Sequence, residues 1–79
     1  MPEERNAKGW QEALVRIEVA RQFQTSSLDL HSLSLTAVPD SFAELTHLLQ
    51  LDLSGNQLTT IPDSFAHLRQ LWRLNLSNN

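Results

Sequence analysis

Three histidines and two aspartates are the side chains best suited to chemistry in this 79-residue sequence. Imidazoles at suitable positions can bind zinc or another transition metal, and His31, His47 and His67 supply three of them. Two neighbouring carboxylates can divide the roles of acid and base, and Asp29 and Asp52 are the candidates for such a pair. Whether any of these groups meet depends on how the elements that carry them follow one another along the chain.

The composition is that of a folded domain with a slightly acidic balance. Hydrophobic residues make up 41% and charged residues 19% of the chain, the formal net charge is -3 and the pI is about 5.4. These are the values of a globular chain and not of a disordered one, and nothing in them argues for nucleic-acid binding, which calls for a basic surface. A unit of this size buries only about 60% of the surface of its unfolded chain, so its stability is marginal unless something helps it.

The lack of cysteine, of a signal peptide and of a membrane-spanning segment bears on the cellular compartment. There is no cysteine, which excludes disulfides and cysteine-bound zinc and permits a reducing compartment. Arg16, Glu18 and Arg21 interrupt the apolar stretch near the N-terminus, so we expect no signal peptide. No segment approaches the roughly 20 apolar residues that span a membrane. We therefore predict a soluble cytoplasmic protein without a membrane partner.

The sequence repeats itself with a period of 23 residues. Segments that start at Leu28, Leu51 and Leu74 read LDLHSLSLTAVPDSFAELTHLLQ, LDLSGNQLTTIPDSFAHLRQLWR and LNLSNN. The two full copies agree at 12 of 23 positions without a gap, which chance does not produce. The chain is expected to hold two full structural repeats and the first strand of a third.

Each repeat is predicted to form one turn of a coil that begins with a short strand. Leu51 and Leu53 alternate with polar Asp52, which is typical of a strand with one buried and one solvent-facing side. Pro62 cannot lie inside a paired strand and marks the far side of the coil. The return part of each repeat is expected to turn apolar residues inward and to end in a short helix or 3₁₀ turn. These apolar residues are Leu35, Val38, Phe42, Leu45 and Leu48 in the first repeat and Leu58, Ile61, Phe65, Leu68 and Leu71 in the second. Consecutive strands are then expected to pair in parallel.

Asn56 and Asn79 occupy equivalent positions just after their strands. A buried carboxamide can donate and accept hydrogen bonds, so it can pair the backbone groups that a bend leaves free. The alternative is that asparagine merely tolerates the turn conformation. Leu33 stands at this position in the first repeat. We expect it to pack against the N-terminal helix, so that the asparagine ladder begins in the second coil.

The pattern LxxLxLxxNxLxxIPxxFxxLxx can be read directly from Leu48 to Gln70. It resembles the leucine-rich-repeat family, in the 23-residue variety found in intracellular bacterial and Ras-associated repeat proteins. The resemblance covers about residues 25–79 and implies an α/β solenoid with short parallel strands on its concave face. It also implies a protein-interaction module that binds its partner on that face. The matching residues are structural and do not specify which protein is bound.

Residues 1–24 precede the repeats and divide into a polar tail over residues 1–8 and an amphipathic helix from about Gly9 to Phe23. The apolar stripe of the helix consists of Trp10, Ala13, Leu14, Ile17 and Ala20. The helix is well placed to cap the open end of the first coil. A helix that binds a membrane surface or a partner is the alternative. We therefore predict two segments, residues 1–24 as tail and capping helix and residues 25–79 as leucine-rich repeats.

The stretch RIEVARQFQTSSLDLHSLSLTAVP is similar to the opening of bacterial proteins that join such repeats to Roco GTPase domains. That resemblance implies an alternative function, a regulatory repeat segment of a multidomain enzyme. The chain itself cannot form a phosphate-binding loop, because Gly9 and Gly55 are its only glycines.

The 23-residue period decides which reactive side chains can meet. The histidines are 16 and 20 residues apart, so they form no column, and only His31 is expected on the concave face. Asp29 and Asp52 align one strand apart, about 5 Å, but no nucleophile or orienting third group accompanies them. We predict no metal site, no cofactor and no catalytic activity.

The predicted partner-binding face consists of the strand positions that point outward. The repeat aligns them in three columns, which are Ser27, Gln50 and Arg73, then Asp29, Asp52 and Asn75, then His31, Ser54 and Ser77. Trp72 is added because an exposed tryptophan is a frequent hot spot of binding, the alternative being that it packs along the flank of its strand.

The third coil contributes only its first strand, so we expect Leu71, Leu74 and Leu76 to lie on an open face. Burying one leucine stabilises a fold by roughly 1.5–3 kcal/mol, and an open strand edge invites pairing with another chain. The expectation is a piece of a longer array, or a chain that associates with itself through its uncapped C-terminal coil.

Overall fold

The computed structural model describes residues 8–79 of the chain. Helix α1 spans Lys8–Phe23, and three short strands follow, β1 (Ser27–Asp29), β2 (Gln50–Asp52) and β3 (Arg73–Asn75). A first 3₁₀ helix (Asp40–Glu44) lies between β1 and β2, and a second (Asp63–His67) lies between β2 and β3. The predicted helix is confirmed and begins one residue earlier than expected. Apart from Lys8, the predicted polar tail falls outside the described residues.

The strands form a parallel sheet in the order β1-β2-β3. Leu28 lies beside Leu51 and Leu51 beside Leu74, so each residue neighbours the residue 23 positions further along the chain. Because successive strands are in the same register, their leucines point to one side of the sheet and their polar residues to the other. The predicted α/β architecture of parallel strands joined by return segments is confirmed.

One hydrophobic cluster joins the helix to the coils. Its buried members are Ala13, Ile17, Ala20, Leu28, Leu30, Leu35, Val38, Phe42, Leu45, Leu48, Leu51, Leu53, Leu58 and Leu68. Phe65 packs against this cluster, and its ring centroid lies 5.1 Å from that of Phe42 at an interplanar angle of 43°. The two 3₁₀ helices therefore stack through a tilted aromatic pair, a geometry that the ring quadrupoles favour.

The bend after each strand uses the left-handed backbone conformation at the same position of every coil. The φ angle is 54° at Ser32, 70° at Gly55 and 59° at Asn78. At Gly55 a side chain would also meet a neighbour, because a Cβ atom there would lie 2.8 Å from Oγ of Ser32. Glycine in the second coil thus satisfies both the backbone angle and the close approach of the first coil.

Asn56 is buried at the bend of the second coil, with 5% of its surface exposed. Its Oδ1 atom accepts the N–H groups of Leu33 and Leu35, each at 3.0 Å. Its Nδ2 atom donates to the carbonyls of Leu30 at 3.0 Å and Leu53 at 2.9 Å. These bonds pair backbone groups of two coils at once, which confirms the predicted role of this asparagine.

Each return segment enters its 3₁₀ helix directly after a proline, Pro39 in the first coil and Pro62 in the second. Val38 is buried as predicted, but Ile61 at the same position of the second coil is 46% exposed, so the prediction that it turns inward is wrong. The first coil lies between α1 and the second coil. The second coil has a neighbouring return segment on one side only, as far as residues 8–79 show.

Helix α1 buries Ala13, Ile17 and Ala20 of the predicted stripe in the shared core, while Trp10 and Leu14 are partly buried. Its first turn lies against the first coil, since a Cβ atom added to Gly9 would be 1.8 Å from the carbonyl oxygen of Leu33. Leu33 itself is half-buried against the core, as expected of a residue beside the helix. Between residues 8 and 79, no helix is long and apolar enough to cross a bilayer.

The core-facing leucines of the third coil have less cover than those of the first two. Leu74 is 39% exposed, whereas its counterpart Leu51 is 2% exposed. Leu71 and Leu76 are half-buried against the core. Of the three leucines predicted to lie on an open face, Leu74 is thus exposed, whereas Leu71 and Leu76 are partly covered.

Candidate partner-binding face

The outward side of the sheet forms a shallow groove. Strand register places Ser27 beside Gln50 and Gln50 beside Arg73, and it aligns the Asp29 column in the same way. Among the ten predicted residues, those that line the groove are Ser27, Asp29, Gln50, Asp52, Arg73 and Asn75. The side chains are brought together because each one alternates with a core-facing leucine on a strand whose neighbour has the same pattern.

The middle column of the face also builds the bends. Oδ1 of Asp29 accepts the N–H group of His31 at 3.0 Å, and Oδ1 of Asp52 accepts that of Ser54 at 2.9 Å. Asn75 does the same for Ser77, at 3.0 Å. Sequence reasoning missed this role. The signal was present, because an aspartate or asparagine that bonds the backbone two residues on is a familiar turn former, and it recurs here in every repeat.

Each bend carries a second contact from the side chain that follows it. The hydroxyl of Ser54 donates to Oδ1 of Asp52 at 2.6 Å. In the first coil the imidazole Nδ1 of His31 contacts Oδ1 of Asp29. The backbone N–H group of His31, and then its ring, hold the pKa of the Asp29 carboxyl below its ordinary value. Asp29 therefore stays ionised to lower pH than a free aspartate would.

Asp29, His31 and Asp52 offer one possible metal ligand each, and these atoms lie within 4.8 Å of one another. The period of the repeat predicted that the two aspartates align, but not that the imidazole joins them. Asp29 and His31 are exposed, Asp52 is half-exposed, and one oxygen of each carboxylate already bonds the backbone. Such exposed groups are common without an ion, so this arrangement by itself assigns neither a metal nor an acid–base pair.

The other two histidines lie away from the groove. His47 follows the first 3₁₀ helix, and its Nε2 atom is buried without a hydrogen-bond partner among the described residues. His67 is exposed at the end of the second 3₁₀ helix.

Two arginines differ in how they meet the sheet. Arg16 reaches from α1 to the carbonyl oxygen of Asp29 at 2.8 Å and also bonds Glu12 at 2.8 Å. Arg73 is exposed in the groove and forms no ion pair within residues 8–79. Sequence reasoning missed the first contact, because nothing in the period of the repeat links a helix residue to a strand carbonyl.

Trp72 is 67% exposed and lies beside the groove without lining it. Its backbone N–H group donates to the carbonyl of Leu49 at 2.9 Å, which links the residues just before β3 and β2. This exposure leaves the Trp72 side chain accessible, and its role as a hot spot of binding stays a prediction.

A second, apolar groove lies between α1 and the outer edge of β1, and it was not predicted. Val15 and Val19 of the helix line it opposite Ser27 and Leu28. Val15, Val19 and Phe23 are all exposed and recur every four residues, so they form a stripe on the helix beside the buried one. That spacing was readable from the sequence.

Comparisons with known proteins identify the family to which this chain belongs. A family model described as Leucine rich repeat matches residues 24–79. The chain belongs to the leucine-rich-repeat family. Leucine-rich repeats typically serve as protein-interaction modules and not as catalysts. A search of curated sequences gave no match.

Among solved structures, a leucine-rich-repeat protein of Leptospira interrogans is similar to this chain, with a TM-score of 0.51 and 25% sequence identity. The match covers 78% of this chain and 22% of that protein, so this leucine-rich-repeat chain spans about a fifth of its length. The similarity to the opening of Roco proteins is supported by neither comparison and stays a prediction.

Proposed function

We propose that the concave strand face of this leucine-rich-repeat chain binds a protein partner. The observation that supports it is the set of polar side chains that the repeat aligns on the outer side of the sheet, in a groove and outside the core. Because these polar side chains lie outside the core, they are available to recognise another molecule. The family is one in which such repeats commonly mediate protein–protein contacts.

The three strands supply a small face. A specific, stable interface buries about 800 Å² on each partner, which requires more residues than the predicted ten. We therefore expect weak binding by this chain alone, with Trp72 and Arg73 contributing most, since tryptophan and arginine dominate hot spots.

Selection of peptide binders from a display library tests the proposal. Binders should lose affinity for Arg73→Ala and Gln50→Ala, which alter the groove, and keep it for Thr60→Ala, an exposed residue of the return segment. Circular dichroism and melting temperature would confirm that each variant is folded. Binders whose affinity depends on none of the groove residues would contradict the proposal.

A regulatory repeat segment attached to an enzyme domain is the alternative function, and the amphipathic helix ahead of the first repeat is what supports it. The sequence of the gene that encodes this chain would test it directly. A cytoplasmic location, consistent with the absence of cysteine, also stays a prediction.

A further inference from the structure

The charges of the groove are separated along the direction in which the strands stack. Asp29 and Asp52 lie side by side on β1 and β2, whereas the third member of their column, Asn75, is neutral. Arg73 on β3 is the groove's one arginine, and its counterpart on β2 is the neutral Gln50. The face is therefore negative over its first two strands and positive at the third.

Two of these charges, those of Asp52 and Arg73, take part in no ion pair within the described residues. By contrast, Arg16 and Arg21 on the helix are paired with Glu12 and Glu18. The groove thus holds charges that the chain itself does not neutralise, next to each other and within reach of one bound segment.

We propose that the partner is a protein segment that crosses the strands and carries both a basic and an acidic side chain. The basic group, arginine or lysine, lies between the carboxylates of Asp29 and Asp52, and the acidic group pairs with Arg73. This inference rests on the proposed function and specifies the chemistry of the partner at that same face. Complementary charges of this kind select the partner and fix its direction across the sheet.

The spacing sets the distance between the two charges of the partner. Neighbouring strands lie about 4.8 Å apart, and two residues along a strand span about 6.6 Å, so the point midway between the backbones at Asp29 and Asp52 is about 10 Å from the backbone at Arg73. An extended segment rises about 3.3 Å per residue. The basic and acidic residues of the partner should therefore be separated by about three positions.

The repeat itself supplies matched substitutions for the test. Asp52→Asn removes the charge and gives the residue that stands at Asn75, whose Oδ1 accepts the same bend hydrogen bond. Arg73→Gln gives the residue that stands at Gln50. Asp63→Asn and Arg69→Gln are the controls, because both residues are exposed and neither lines the groove.

Peptides selected on the native chain should be enriched in a basic and an acidic residue at that separation. A synthetic peptide from the selection should bind about fivefold more weakly to Asp52→Asn and to Arg73→Gln, and with unchanged affinity to the two controls. Binding should weaken with added salt and persist in EDTA. A selection on Arg73→Glu should yield peptides whose acidic residue is replaced by a basic one.

The failure of this inference can be distinguished from the failure of the proposed function. Peptides that depend on Trp72 and Gln50 but show no charge pattern, and no loss with Asp52→Asn or Arg73→Gln, would overturn this inference and leave the proposed function intact. Binding that requires a divalent ion would also overturn it, in favour of a metal at Asp29, His31 and Asp52. If no selected peptide depends on any groove residue, both the inference and the proposed function fail.

Discussion

Asn56 and Asn79 donate to the same carbonyl oxygen, that of Leu53. The Nδ2 atom of Asn56 lies 2.9 Å from it, and that of Asn79 lies 2.8 Å from it. Oδ1 of Asn79 accepts the N–H group of Leu58 at 3.0 Å, repeating one coil later the bond that Asn56 makes to Leu35. Each asparagine thus joins its own coil to the preceding one.

Replacing Asn56 with alanine should lower the free energy of unfolding by about 1–3 kcal/mol, because it leaves buried backbone groups of two coils unpaired. Gln57→Ala is the control, since Gln57 is exposed and adjacent. Urea denaturation of both variants measures the difference. Equal midpoints would show that the asparagine ladder contributes nothing to stability.

Gly9→Ala should destabilise the chain by about 1–3 kcal/mol, although alanine favours helices more than glycine does. The new Cβ atom would lie 1.8 Å from the carbonyl oxygen of Leu33, which is backbone and cannot rotate away. The helix must shift and loosen its contact with the first coil. Thermal unfolding should show no comparable loss for Lys8→Ala, at the exposed neighbouring position.

Ile17→Asp should unfold or aggregate the chain, because it places a charge in the core where Ile17 is 2% exposed. Glu18→Ala, at the next and exposed position, should leave the far-UV circular dichroism and the melting temperature nearly unchanged. A folded Ile17→Asp variant of native stability would mean that α1 does not cap the first coil.

The His31→Ala variant should raise the pKa of the Asp29 carboxyl part of the way to its ordinary value of about 3.9. It removes the ring contact but keeps the backbone N–H group, the larger cause of the depressed pKa. An aspartate whose pKa is depressed by folding stabilises the fold above its unfolded pKa, and that contribution is lost as the pH falls through the folded value. NMR titration of the carboxyl measures the shift. His67→Ala should leave it unchanged.

The 79-residue chain should associate with itself or lose structure at its third coil. Leu74 is 39% exposed, and β3 has no neighbouring strand on its outer side among residues 8–79. Further repeats and a polar cap, added after Asn79, should make the chain monomeric and raise its melting temperature. Sedimentation at several concentrations tests this. A stable monomer whose β3 amides resist hydrogen exchange would contradict it.

The sequence predicted the parts of the fold that recur with the repeat. Alternating leucines located the strands, and the period set their register, because a slip of one residue would turn Leu51 to solvent. The position of Asn56 just after its strand was enough to predict its hydrogen bonds. These features depend on the local residue pattern and on the stacking of equivalent residues from successive repeats. Both can be read from a single sequence.

The parts that were missed depend on side-chain directions and on neighbours. Ile61 has the same sequence context as Val38 and differs only in what covers it. The approach of His31 to Asp29 and Asp52 depends on side-chain rotamers at a bend, which the period does not fix. Arg16 bonds Glu12 one helical turn away, and its second contact, to the carbonyl of Asp29, joins elements that share no periodicity.

That contact of Arg16 makes the two edges of the sheet unequal. The N–H group of Leu30 points to β2, where it bonds Asp52, so the carbonyl of the alternate residue Asp29 points to the outer edge of β1. Arg16 donates a hydrogen bond to this carbonyl at 2.8 Å, while no such side-chain bond is made to the outer edge of β3 within residues 8–79. Growth into a fibre would need a free edge at each end of every molecule. Because the outer edge of β1 is blocked, two chains can pair only through the open edges of their β3 strands. Association should therefore stop at a dimer.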